Sequence, residues 1–458
     1  MTKSNNNTLE YYIDKPNLNK IDKLSIFEKL EKLGDKFNKY LQEINEPKYL
    51  YWDEAKYKQT PVGLNPQEAW FLARRFRSLV SSPTPIKTEK GNNFKWIKLP
   101  HIDKFLHEID INSGGQVFAS IDTLTDVNRQ KFLSRGILEE AIASSQLEGA
   151  HTTRNAARLM IANKREPRNK DEQMILNNYN TILKIDEDYK NKPLSEELIF
   201  ELHRMLTNKT IGENETGRYR RNTDNIVVQG QIGNEDYITH TPPSEKFVKS
   251  EMSRLINYAN DISDEGFFHP IVKAIFLHFW IGYLHPFVDG NGRLARSLFY
   301  WYLLRKNYWT FMYLPISLII KRAPTQYAMA YIYSEQDNCD VTYFFDFHIR
   351  KIMQALDDFN EYIDRKMGEN KEIDRIINKN IILSERQKYL LHYVISDSSF
   401  YITTTSHATI NTITRQTAAK DIQELVNLGF IEGNRDGKYI RYRATNQLRK
   451  LAMKLRWK

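Results

Sequence analysis

The apolar segment IVKAIFLHFWIGYL, followed closely by RLARSLFYWYLLRK, limits this 458-residue chain more than any other feature. Apolar residues occupy every face of the first segment, so as a helix it has to lie inside a bundle. It carries Lys273 and His278 and is too short to cross a bilayer. Pro270 is tolerated in a first helical turn, and Pro286 ends the helix. The helical pattern resumes at Arg293. Two buried helices joined by the tight loop VDGNG are therefore expected, with the end of the loop at a helix N-terminus.

The rest of the chain predicts a mainly α protein. Residues 24–45 place Phe27, Leu30, Leu33, Phe37, Tyr40, Leu41 and Ile44 at helical spacing. A second helix fits NPQEAWFLARRFRSLV, with Asn65 as N-cap and Pro66 in the first turn. SSPTPIKTEKGNN (81–93) reads as an exposed connection, and NSGGQ (112–116) breaks the pattern again. From about 125 to 365 the pattern is helical except at 225–243, where two β-branched runs flank GQIGNED and predict a hairpin. The divisions expected are a helical N-terminal region (1–115), a core (116–365), a charged linker or connecting helix (366–381) and a C-terminal domain (382–458).

Hydrophobic residues make up 41% of the chain, enough for real cores. The lone cysteine, Cys339, excludes an intrachain disulfide and a multi-cysteine zinc site. No secretory signal or membrane span is read, so a cytoplasmic setting is the default expectation. The net charge of +9 is uneven, because residues 435–458 hold nine Lys/Arg against one acid, Asp436. That points to a local anionic partner at the C-terminus.

The loop HPFVDGNGRLAR (285–296) concentrates reactive residue types. Backbone N–H groups at a helix N-terminus are unpaired and favour an anion, and Gly290 and Gly292 let that backbone approach a phosphate closely. Arg293 and Arg296, three apart, can clamp one polyphosphate. Asp289 is a hard oxygen ligand suited to Mg²⁺ against phosphates. His285 is a candidate general base near neutral pH. Neither a P-loop nor the kinase signature set is present.

These residues resemble the Fic family motif, H-P-F-x-[D/E]-G-N-G-R-x-x-R, at every defined position, and the likeness extends over about 125–365. The resemblance implies a helical Fic core and transfer of AMP from ATP to a Ser, Thr or Tyr hydroxyl of a target protein. His285 would then deprotonate the hydroxyl, and Phe287 would pack beneath the loop. Asp289 would hold Mg²⁺. Asn291, with the Gly290 and Gly292 backbone, would cradle the phosphates. Arg293 would face the β-phosphate and Arg296 the γ-phosphate. The hairpin would be a flap that lays the target beside the site through Asn225, Ile226, Val227 and Val228. Tyr219 and Arg220 fit the entry to that flap, and Tyr327 would contact adenine. A homodimer is implied only by the resemblance.

Upstream, Gly149 is a plausible helix stop that puts Glu148 in a last turn, where the helix dipole disfavours a carboxylate and a nearby cation would help. Ser144, Glu148 and Gly149 also fit the Fic inhibitory motif, [S/T]-x-x-x-E-[G/N]. That resemblance implies a Glu148–Arg296 salt bridge which blocks the γ-phosphate arginine. Some relatives use this glutamate to remove AMP, and inhibition and removal both stay open.

The tail reads helix, short strand, helix, helix, hairpin, and resembles a winged helix-turn-helix with TRQTAAKDIQEL as recognition helix. Arg415, Gln416, Thr417 and Lys420 would lie on its exposed face, and Arg435, Lys438, Arg441 and Arg443 on or near the wing. DNA and a partner protein are both open as its ligand. An alternative to the enzyme is thus a DNA-binding regulator whose Fic core senses nucleotide or modifies itself.

Overall fold

The computed structural model describes residues 8–19, 21–112, 126–262, 266–377, 383–396, 401–411, 413–436, 439–446 and 448. The chain divides into two compact units. One comprises Met1–Phe118, Ser134–Ala157 and Pro167–Leu356; the other comprises Ala119–Leu133, Arg158–Glu166 and Asp357–Lys458.

The first unit is helical and built on the predicted pair, Pro270–Leu284 and Asn291–Arg305. Both helices are buried almost from end to end, with Trp280, Trp301, Phe276 and Phe279 fully enclosed. Against them pack Lys170–Lys184, Glu196–Thr207 and Glu245–Ala259. Glu196–Thr207 shows how. It buries Leu198, Ile199, Leu202, His203 and Leu206 along one stripe and leaves its charged side outward.

Two N-terminal expectations need correction. The run 24–45 is two helices, Lys23–Leu33 and Asp35–Asn45, because Gly34 takes φ +47 and turns the chain between them. Residues 81–93 are not an exposed connection. Ser82–Lys87 (β1) pairs antiparallel with Asn93–Trp96 (β2), burying Thr84, Ile86, Phe94 and Trp96. Pro83 and Pro85 hid the strand, yet proline is acceptable on the edge of a two-stranded sheet. The helix Pro66–Val80 forms as read, closed by a capping box between Asn65 and Glu68.

Val228–Ile232 (β3) and Glu235–His240 (β4) form the predicted hairpin, but its loop is only Gly233-Asn234 rather than all of GQIGNED. A glycine entering a two-residue turn lets the strands pair to the last residue. A bulge at Thr239 shifts the register between Val228 and Gln229. The outer edge of β4 is covered by the N-terminal arm: Tyr11 N–H donates to Ile238 O and Ile238 N–H to Leu9 O, both at 2.9 Å. Gln336 fixes that arm by bonding Tyr11 O and Ile13 N–H.

The second unit contains Glu385–Ser396, Thr404–Ile410, Arg415–Asn427 and the antiparallel pair Ile431–Asp436 (β5) and Tyr439–Ala444 (β6). Ile402 bridges Tyr442 beside that pair. Leu390, Leu391, Val394, Ile402, Ile422, Leu425 and Ile431 form its core. The helix Thr342–Ile377 takes in residues 366–377 of the expected linker; 378–381 lie outside the described residues.

Buried Arg77 ties the N-terminal region together. Its guanidinium donates to Ile44 O, Leu50 O and Asn45 Oδ1 and lies 3.8 Å over the Tyr49 ring. Arg77→Met strands three acceptors, so it is expected to reduce the unfolding free energy by about 3 kcal/mol. Calorimetry would refute this by giving an unchanged melting temperature.

Candidate active site

The loop between the two central helices is held from within. Asn291 Oδ1 accepts from Phe287 N–H at 2.9 Å, and its Nδ2 donates to Phe287 O at 2.8 Å. The Asn291 side chain is therefore committed to closing the loop. Gly290, at φ +84, turns the chain into the next helix, and a β-carbon there would press on Thr207. Beneath the loop, Phe287 stacks on the His203 ring at 3.9 Å and meets Tyr219 and Phe200.

His203 was not singled out by the sequence and is a chief support of the loop. Gly217 N–H donates to its Nδ1, so Nε2 carries the proton and donates to Asp289 O, each at 2.9 Å. Burial pushes its pKa down to about 4, which keeps this neutral tautomer.

His285 stands at the end of the first helix in the left-handed region, at φ +47, uncommon for a residue with a β-carbon. Its carbonyl is gripped by Arg220 Nε at 2.7 Å, and Arg220 N–H donates to Pro286 O at 2.8 Å. Nδ1 lies 3.1 Å from Gly282 O, so Nδ1 donates and Nε2 is left as a lone pair. That Nε2 is buried with no hydrogen-bond partner. Burial, then the charge on His240, hold the pKa of His285 at about 3. The ring is thus neutral, with the lone pair on Nε2.

Arg293 is fully buried, with Nη1 on Leu206 O at 2.7 Å and Nη2 3.5 Å from Asp289 Oδ1. Burial works against the charge on Asp289, but Arg293 and the Gly290 N–H outweigh it and keep the pKa below the usual carboxylate value. Among the described residues no cluster of three His, Cys, Asp or Glu could hold a metal. A cation here would rest on Asp289 with phosphate oxygens and water, which is how Mg²⁺ is commonly held.

A carboxylate lies against Arg296. Arg296 Nη2 bonds Glu148 Oε1 at 2.9 Å, while Ser144 takes Nε on its Oγ at 2.7 Å and Nη2 on its carbonyl at 3.0 Å. A β-carbon at Gly292 would overlap the Glu148 carboxylate, so that carboxylate lies directly over the first turn of the second helix. Arg296 Nη1 and Arg293 Nε are buried without hydrogen-bond partners.

Residues 193–303 match the model of the Fic/DOC family. The chain carries a Fic/DOC family domain. It is 32% identical over 129 residues to Protein adenylyltransferase Fic of Drosophila mojavensis, a stretch covering 28% of this chain and 22% of that protein. With the protein of the same name in Drosophila melanogaster it shares 33% over 110 residues, 24% of this chain and 20% of the relative. The chain thus spans about a fifth of the length of the curated relatives it matches. Among solved structures it is similar to a Fic family protein from Desulfovibrio desulfuricans G20, at 20% identity and a TM-score of 0.47, covering 76% of this chain and 97% of that one.

The helix Asp126–Leu147 ends one residue before Glu148, which stands in the turn that follows rather than in the last helical turn, and the helix is held by more than the Glu148–Arg296 pair. Glu140 accepts from Ser317 N–H at 2.8 Å and from the Ser317 hydroxyl. Glu139 pairs with Arg154, and Asn178 reaches Ala141 O at 3.4 Å. At Gly136 a side chain would strike the Met312 and Tyr313 backbone, so glycine lets the helix sit this deep.

Other predicted residues are less concentrated. Asn225, at φ +48, Ile226 and Val227 precede β3; Val228 opens it and pairs with His240. Tyr327 is turned inward, its hydroxyl 3.0 Å from His278 Nε2 and its ring against Tyr331, Phe347 and His348. In the second unit Arg415, Gln416, Lys420 and Arg435 are exposed, while Thr417 is half-buried, its N–H bonded to Thr414. Arg441 lies 4.1 Å over the Tyr401 ring, and Lys438 falls outside the described residues.

Behind Arg296, His278 and His348 are buried in contact with each other. Burial, with Arg296 nearby, pushes the pKa of His348 down to about 3. A histidine depressed in the folded state stabilises fully above its unfolded value of about 6.5 and loses that contribution as pH falls toward the folded value. His348→Phe is therefore expected to lessen the drop in melting temperature between about pH 7 and pH 5. Identical pH slopes for the two proteins would rule this out.

Proposed function

We propose that the chain is a protein adenylyltransferase, moving AMP from ATP to a hydroxyl of a target protein, and that Glu148 holds it in check. The observation that carries the reading is the carboxylate seated on Arg296 over Gly292. A site that accepts a carboxylate between a guanidinium and a helix N-terminus is built for the terminal oxygens of a polyphosphate.

In this reading ATP displaces Glu148, and Arg296 takes the γ-phosphate while Arg293 faces the β-phosphate. Gly290 and Gly292 let the backbone close on the phosphates, and Asn291 keeps the loop in shape. His285 Nε2 receives the proton of a Ser, Thr or Tyr hydroxyl as its oxygen bonds to the α-phosphorus. The α–β anhydride bond breaks, AMP stays on the target oxygen and pyrophosphate leaves. Asp289 and the phosphates would hold Mg²⁺, which would offset phosphate charge. Val228 and the residues before it would guide the target segment, the edge of β4 being already covered by the arm. Tyr327 would lie on the adenine side.

Glu148→Gly is expected to raise labelling from α-labelled ATP at least about tenfold, because the competing ion pair is removed. His285→Ala in that background should abolish it. Equal labelling by the parent and the Glu148 variant would remove the inhibitory role. Protonation of His285 sets in only as pH falls toward about 3, so labelling by the Glu148 variant should show no acid-side fall as pH drops from about 7 to about 5. A fall centred near the ordinary 6.5 would mean that another group is the base.

For the second unit, the exposed Arg415, Gln416, Lys420 and Arg435 favour an anionic partner, and DNA is the form we propose, in the manner of a winged helix-turn-helix. Binding of the full chain to duplex DNA should weaken with salt, at a slope of about −0.9 per phosphate neutralised. Lys420→Ala and Arg435→Ala should flatten that slope. An unaltered slope, or no binding at low salt, would leave a protein partner as the reading.

A further inference from the structure

His240, the last residue of β4, belongs to none of the groups above. Its side chain is 9% exposed, delivered inward just after the bulge at Thr239. Its Nδ1 is 2.7 Å from Glu335 Oε2, and its Nε2 is 2.8 Å from Tyr283 O. A backbone carbonyl only accepts, and a carboxylate accepts, whereas a neutral imidazole has one N–H. With Glu335 ionised, both contacts hold together only if His240 is an imidazolium. Glu335 lies in the helix Pro324–Gln336, and Tyr283 lies beside His285. The groups facing His240 are Glu335, the Tyr283 carbonyl, the His285 ring at 6.4 Å and the guanidinium of Arg220.

We infer that His240 is a positioning residue of the transfer site: as a cation it fastens the target-side hairpin to the helix Pro270–Leu284, which ends at His285, and to the helix Pro324–Gln336. The inference rests on the adenylyl-transfer reading for its consequence, though not for the fastening itself. Burial opposes the charge, but the Glu335 carboxylate outweighs it and raises the pKa of His240. A raised histidine keeps its contribution in full below the unfolded value and loses it as pH climbs through the folded one. The fastening is therefore complete below the ordinary histidine value of about 6.5 and is released as pH climbs through the raised one. The same cation, next to His285, discourages a second positive charge there and so preserves the lone pair on His285 Nε2.

Two measurements on the full chain test this. Hydrogen exchange followed by mass spectrometry reports the hairpin peptide 228–240, with the helix Glu196–Thr207 as a control for intact fold. His240→Gln should speed exchange of the hairpin and leave the control unchanged. Glu335→Gln should loosen the hairpin at a lower pH than in the parent, after correction for intrinsic rates. Hairpin exchange equal to the parent's in both variants overturns the fastening. In the Glu148→Gly background, self-labelling from α-labelled ATP should fall about tenfold with His240→Gln, the loss of a charged hydrogen-bonding group. ATP affinity should change no more than about twofold, since His240 touches no part of the phosphate cradle. With Glu335→Gln, the alkaline fall in labelling should move to lower pH, a shift that a merely structural role would not produce. Undiminished labelling by His240→Gln overturns the positioning role. No labelling by the Glu148→Gly parent overturns the transfer reading instead, and the exchange result then decides the fastening by itself.

Discussion

The geometry around the loop centres on one electrostatic problem: a guanidinium buried beside the first turn of a helix and in need of a counter-charge. The Arg296 side chain is 5% exposed, and a buried cation without a counter-charge is costly by several kcal/mol. Ser144 supplies two neutral acceptors and Glu148 supplies the missing charge. The chain thereby supplies its own anion to this guanidinium. On the function proposed above, restraint of the site would come with that arrangement, because the group that stabilises Arg296 stands where a polyphosphate would have to stand.

The depth at which the Glu148 helix sits bears on how such restraint could be lifted. Glu140 on Ser317, Glu139 on Arg154 and the close approach at Gly136 hold the helix independently of Glu148. Undocking the helix would strand buried carboxylates as well as Arg296, whereas swinging the Glu148 side chain strands Arg296 alone, and only until another anion takes its place. The second path is the cheaper. Rotation of one side chain is accordingly the motion the packing permits most easily.

The central helices and the turn at Gly290 were legible because each rests on local rules: an apolar run, proline stops, glycine at a tight turn. Local rules said only that Glu148 wanted a cation, and the resemblance to the inhibitory motif supplied Arg296 as its partner. Asn291 shows the limit of such reading. Its amide looks like a phosphate donor in sequence, yet both ends are occupied by Phe287 backbone. The strand at 82–87 was hidden by two prolines whose cost depends on which edge they face, a property that exists only once the sheet has formed. His203 and His240 carry no sequence signal, because what they do is fixed by partners far away in the chain: Gly217 and Asp289 for one, Glu335 and Tyr283 for the other.

Those histidines show how one residue type is set to different tasks by what it touches. His203 receives an N–H on Nδ1 and is therefore neutral, a fixed strut under the Asp289 carbonyl. His285 gives its one proton to a carbonyl and keeps a bare nitrogen facing inward. His240 meets an acceptor at each nitrogen and, with Glu335 ionised, must be charged. Exchange any of these partners and the assignment changes, although the residue does not. The cation at His240 and the neutral ring at His285 also depend on each other, since two imidazoliums 6.4 Å apart in a buried site would repel strongly. Burial already keeps His285 neutral, and on the inference drawn above the Glu335 carboxylate adds to this by favouring the proton on His240. A carboxylate on a neighbouring helix thus bears on the candidate base without touching it.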